Sequence, residues 1–164
     1  MTTRSPDLRL LICGMADRGD DGAPLAAIAQ ILPVIRDELR VRLEVRRCPS
    51  FAATDIIAVG EGQACLIVDT VVGVEPGRVV TISLEALADR PGGITLRSSH
   101  ELAIRDELLL VELVRGSLPP GALVGIGGKW FGYGERFSRA VRCGLPAFAD
   151  AIRSAVEEQL AVAI

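Results

Sequence analysis

Leu8 to Pro24 reads LRLLICGMADRGDDGAP, and this stretch decides the fold. Leu10-Leu11-Ile12-Cys13 is a short apolar run bounded by Gly14, the pattern of a buried strand. Asp17, Arg18, Gly19, Asp20, Asp21 and Gly22 follow, and Pro24 opens an apolar, Ala-rich segment. Two adjacent carboxylates therefore stand where a strand ends and a helix begins. In an open α/β sheet, ligands bind in the crevice outside the carboxyl ends of strands. The acidic turn is the first candidate for a site.

Working outward, Pro24–Leu39 is expected to be helical, with Leu25, Ile28, Ala29 and Leu32 on one apolar face and Pro33 kinking or dividing it. Val41–Arg46 alternates like a half-exposed strand, and Ser50–Gly62 carries a short helical turn through Ala53, Ile56 and Ile57. Ala64–Asp69 is almost continuously apolar, the signature of a strand buried on both faces, and is expected to end at Asp69. Arg78–Ile82 reads as a strand and Glu85–Gly93 as an exposed turn. Ser98 and Ser99 are candidate caps of a helix bearing Leu102, Leu109 and Leu113. Ala122–Ile126 is a further strand, and Leu145–Ala163 a closing helix. Strands alternating with helices predict one α/β domain over residues 1–164, a three-layer α-β-α sandwich around a mostly parallel twisted sheet.

Bulk properties bound the function. The 164 residues are 49% hydrophobic and 24% charged, enough for one sizeable core. A net charge of −3 gives no electrostatic case for nucleic acid. No run approaches the roughly 18 to 20 apolar residues of a membrane span, and the N-terminus lacks the apolar core of a secretory signal. The expectation is a cytoplasmic protein with no membrane partner. Cys13, Cys48, Cys65 and Cys143 form no C-x-x-C and are expected to be reduced, structural thiols.

Asp20 and Asp21 follow the first strand, Asp69 closes the central one, and His100, the sole histidine, stands at a helix start. Two carboxylates and an imidazole suit an open site for a borderline divalent cation such as zinc or nickel. The same residues also have plainer uses. Asp20 or Asp21 can cap the following helix, Asp69 can accept turn hydrogen bonds, and Asp17 with Arg18 can be a solvated loop pair. The glycines form no G-x-G-x-x-G, and no G-x-S-x-G elbow is present. In the loop Lys129–Phe137, Trp130, Phe131 and Tyr133 near Arg136 fit either a docking face or a cover for the core.

Taken in order, these segments resemble the hydrogenase maturation endopeptidases. The resemblance lies in Leu10–Gly14 followed by Arg18-Gly19-Asp20-Asp21-Gly22, in Cys65–Val71 with its Asp69, in Ser98-Ser99-His100-Glu101-Leu102, and in Val124–Ile126 followed by Gly132–Ser138. The family usually shows Gly-x-Gly-Asn and a longer connection before its acids, whereas this chain has Gly14-Met15-Ala16-Asp17 and a turn shorter by about two residues.

The resemblance implies an endopeptidase that removes the C-terminal tail of a nickel-iron hydrogenase large subunit after nickel insertion. It assigns Asp21, Asp69 and His100 to the metal and to catalysis, with nickel carried by the substrate and no organic cofactor. The implied partner is the large-subunit precursor, met by a monomer. The alternative is a non-catalytic relative that binds a metallated partner without cutting it.

Overall fold

The computed structural model describes residues 5–89, 94–97 and 103–162. The first strand, β1 (Leu8–Cys13), is buried along its whole length. The chain then runs through a 3-10 turn (Gly19–Gly22), α1 (Ala23–Ile31), α2 (Asp37–Arg40), β2 (Leu43–Cys48), α3 (Ala53–Ile57) and β3 (Ala64–Val72). It continues through β4 (Val79–Ser83), α4 (Leu84–Asp89), β5 (Thr95–Leu96), α5 (Ile104–Arg115), β6 (Gly121–Gly127) and α6 (Arg139–Val162). The sheet order is β2-β1-β3-β6-β4, and β5 pairs with the far end of β3. The β1–β2, β1–β3 and β3–β6 pairings are parallel, while β4 and β5 run antiparallel to their neighbours.

Successive strand residues face opposite sides, so each central strand feeds two cores. Leu10, Ile12, Leu66, Val68 and Val124 pack under α1 and α6, against Ile28, Phe148, Ile152 and Val156. Leu11, Cys13, Ile67, Val71 and Leu123 pack under α3, α4 and α5, against Ile56, Leu84, Leu87, Ile104 and Leu108. Burial on both faces is why β1 and β3 read as unbroken apolar runs. The result is the expected three-layer sandwich. Among the described residues, no helix is long and apolar enough to cross a membrane.

Several details differ from expectation. Pro33 divides the first helical segment: α1 stops at Ile31, and Leu32–Val34 is a 3-10 turn before α2. The buried face of α1 is Ala23, Pro24, Ala27, Ile28 and Ile31, and Ala29 is exposed. Glu85–Asp89 is not an exposed turn but most of α4, because the Ser83 hydroxyl accepts the Ala86 N–H and Leu84, Leu87 and Ala88 turn inward. Residues 90–93 lie outside the described residues. The N-cap of α5 is Ala103, its buried face is Ile104, Glu107, Leu108 and Val111, and the expected caps Ser98 and Ser99 lie outside the described residues. Leu109 and Leu113 point outward instead. The last helix starts at Arg139, with Ser138 capping the Val141 N–H at 3.3 Å.

The edge strand β2 is tied to β1 by charge as well as by backbone. Arg9, 6% exposed, donates to both Glu44 oxygens, at 3.0 and 3.3 Å, and Gln63 and Arg46 also donate to Glu44. Desolvation pushes the Glu44 carboxyl up, but the hydrogen bonds from Arg9, Gln63 and Arg46 outweigh it and hold the group at about 2. A folded pKa below the unfolded one stabilises above the unfolded value, and that stabilisation is lost as pH falls through the folded value. Urea melts are therefore expected to show stability declining between about pH 4.5 and pH 2. Glu44→Gln should lower the midpoint at neutral pH and flatten this part of the pH profile; an unchanged slope would contradict the role given to Glu44.

Candidate active site

The sheet order creates a crevice. From β1 the chain crosses under α1 to β2 on one side, then returns under α3 to β3 on the other side of β1. The carboxyl ends of β1 and β3 thus flank the point where the strand order reverses, where open α/β sheets bind ligands.

Gly14 ends β1 with φ +116°, a conformation that favours glycine. A Cβ there would lie 2.1 Å from the Asp21 carbonyl oxygen and 3.3 Å from Asp21 Oδ1. This close approach seats the acidic turn on the strand end. The Met15 N–H donates to Asp21 Oδ2 at 2.9 Å, and Asp21 is 6% exposed.

Asp69 does not terminate its strand. β3 runs on to Val72, because β6 and β5 pair with its last residues. Ile12 pairs with Val68, however, so Asp69 stands one step beyond the β1–β3 pairing, level with the end of β1. The carboxylate is fully buried. Its neighbour Thr70 donates its hydroxyl to the Asp20 carbonyl oxygen at 2.8 Å, which fastens the acidic turn over β3 beside Asp69. Both sequence-assigned carboxylates are thus brought to the same edge of the sheet.

His100 lies outside the described residues, as do Ser98, Ser99, Glu101 and Leu102. The chain departs toward them from Arg97, whose N–H donates to the Thr70 carbonyl at 2.9 Å. Among the described residues, no group of three His, Cys, Asp or Glu side chains is arranged to hold a metal ion.

Asp20 has a role the sequence did not disclose. Fully buried, it accepts four hydrogen bonds: Lys129 N–H at 2.8 Å and Trp130 N–H at 2.9 Å to Oδ2, Ser138 N–H at 2.7 Å to Oδ1, and Ser138 Oγ at 2.8 Å to Oδ2. Its own N–H donates to the Trp130 carbonyl at 2.8 Å. Asp20 is the clamp that holds the loop 128–138 against the acidic turn.

That loop answers the docking-or-core question residue by residue. Trp130 is 43% exposed and lays its ring against Gly19 and Gly132. Phe131 is half-buried beside Gly128, with the Arg97 guanidinium 4.7 Å from its ring centre. Tyr133 is 79% exposed, and Arg18 stacks over it at 4.1 Å. Arg18 is therefore spent on an aromatic ring rather than on a solvated pair with Asp17, whose carbonyl accepts the Gly134 N–H.

No protein-family model matches the chain, and no curated protein matches its sequence. Solved structures do match it. NiFe hydrogenase maturation protease HybD from Thermococcus kodakarensis superposes with a TM-score of 0.65 at 23% identity, over 90% of this chain and 98% of that one. Hydrogenase maturating endopeptidase HybD from E. coli gives 0.69 at 16% identity, over 92% of each chain. NiFe hydrogenase maturation protease HycI from Thermococcus kodakarensis KOD1 gives 0.60 at 18% identity, again over 92% of each. At these identities the likeness establishes architecture: the chain has the fold of these hydrogenase maturation proteases.

Proposed function

We propose that this chain is an endopeptidase of the hydrogenase maturation type, removing the C-terminal tail of a nickel-iron hydrogenase large-subunit precursor once nickel is in place. One observation carries the reading. Asp21 is seated on the end of β1 and Asp69 stands one step beyond the β1–β3 pairing, at the strand-order reversal of a fold shared over 90% or more of both chains with hydrogenase maturation proteases. Asp21, Asp69 and His100 contact the nickel borne by the substrate. Two carboxylates and an imidazole would hold that ion without filling its coordination, and the chemistry it would supply is polarisation of the scissile carbonyl or activation of water. The chain itself supplies orientation and negative charge at a water-poor edge of the sheet. The test is a gel shift: nickel-loaded precursor shortens on incubation with the chain, and nickel-free precursor does not. Failure of the nickel-loaded precursor to shorten, with binding intact, overturns the reading.

A second reading is favoured by the complete burial of Asp69. A carboxylate without exposed surface meets a substrate-borne ion only after the site opens. A relative that binds the metallated subunit without cutting it needs no such opening, and in the same assay it would co-migrate with an intact precursor.

The clamped loop is the docking face in either case. Trp130→Ala is expected to weaken association with the precursor roughly tenfold or more, the scale of an interfacial aromatic anchor. Its circular-dichroism melt should stay cooperative, because Trp130 is already well exposed. A collapsed melt with unchanged affinity would make the ring a structural cover instead.

A further inference from the structure

Cys13 and Cys48 are the last residues of β1 and β2, and they are directly paired across those parallel strands. Both are free thiols, and both face the core beneath α3. Neighbouring strands lie about 4.8 Å apart, inside the roughly 4.4–6.8 Å span of Cα atoms that a disulfide bridges. The remaining difference is at Cβ, where a disulfide needs about 3.8 Å. Because β2 is the sheet edge and Cys48 its final residue, an inward shift of Cys48 disturbs strand pairing on one side only.

The two thiols are chemically unequal. Cys13 is fully buried, while Cys48 is 5% exposed and flanked by exposed Arg47 and Pro49. Cys13 Sγ is sealed beneath the sheet face and points to the Leu11 carbonyl at 4.0 Å, whereas Cys48 ends the edge strand. Cys65, pushed up to about 12 by burial, is inert by comparison.

We propose that Cys13 and Cys48 form a peroxide-oxidisable thiol pair that closes a reversible disulfide across the β1–β2 edge. The Cys48 thiolate attacks one peroxide oxygen, breaks the O–O bond and becomes a sulfenic acid, and the released hydroxide takes up the proton that Cys48 shed. The Cys13 sulfur then attacks the Cys48 sulfur, and the sulfenic hydroxyl leaves as water with the Cys13 proton. Each sulfur loses one electron, and the peroxide is reduced to two waters. A bond across adjacent strands is strained, so thiols reopen it readily.

The consequence reaches the acidic turn. Gly14, next to Cys13, donates its N–H to the Cys48 carbonyl at 3.1 Å and seats Asp21 from its other side. A crosslink here tethers the strand end that carries that turn. The proposal is independent of the peptidase reading.

The test uses the full chain carrying Cys143→Ser, which removes the exposed thiol. Reduced protein is treated with hydrogen peroxide, alkylated and peptide-mapped. The expected product is an intramolecular Cys13–Cys48 bond, seen as loss of two hydrogens and reversed by dithiothreitol. Cys13→Ser should let Cys48 proceed to sulfinic acid, whereas Cys48→Ser should leave Cys13 unoxidised. Recovery of both thiols fully alkylated, or over-oxidation of Cys48 in the presence of Cys13, overturns the proposal.

Discussion

Asp69→Asn is expected to stop tail removal from nickel-loaded precursor, lowering kcat/KM at least about a thousandfold, the scale on which loss of a charge-stabilising group acts. The substitution keeps the side chain's size and its capacity for hydrogen bonds, but it removes the charge. Asp69 lies inside β3 and pairs with Gly125 of β6, so its backbone is fixed by pairing and not by its carboxylate. Tm is accordingly expected to move by no more than a few degrees. His100→Ala should be equally inactive. Gel analysis of the precursor with each variant decides the matter: tail removal persisting in both removes these residues from the mechanism.

The parts of the fold that local chemistry dictates were legible in the sequence. β1 and β3 announce themselves because burial on both faces leaves no room for polar alternation. Pro33 divided the first helix where its missing N–H required. Less legible were features set by distant partners. The end of β3 is fixed by β5 and β6, so a charged residue that looked terminal lies mid-strand. The buried face of α5 is not legible locally because apolar residues lie on both of its sides, and the sheet buries Leu108 rather than Leu109. α4 carried an overlooked local signal: Ser83 caps it, and the apolar spacing of Leu84, Leu87 and Ala88 follows directly.

The site divides in the same way. Asp21 is marked by its place after β1, and the register sets Asp69 one step beyond the β1–β3 pairing, level with the end of β1. Asp20 and Asp21 are indistinguishable by local sequence, because each is an acid in a Gly-flanked turn. What separates them is a loop more than 100 residues further along, to which Asp20 is bonded.

That separation gives Asp20→Ala the largest expected effect on stability. The carboxylate is the common acceptor for three backbone N–H groups and the Ser138 hydroxyl. Hydrogen bonds to a charged acceptor are each worth roughly 1.5–3 kcal/mol, and donors left unpaired add their desolvation cost. Partial rehydration of an exposed loop offsets part of this, leaving a loss of about 3–5 kcal/mol and a fall in Tm of about 10 °C for a chain of this length. Asp20→Asn should fall between, because one oxygen still accepts while its amide hydrogens face the loop N–H groups. The sole tryptophan, Trp130, is the local reporter. Its ring rests on Gly19 only while the clamp holds, so Asp20→Ala should shift its emission to the red before global unfolding begins. Both readouts moving together identify Asp20 as the residue that presents the docking loop to the site. Unchanged emission and Tm in Asp20→Ala would show that the loop holds its place without the carboxylate.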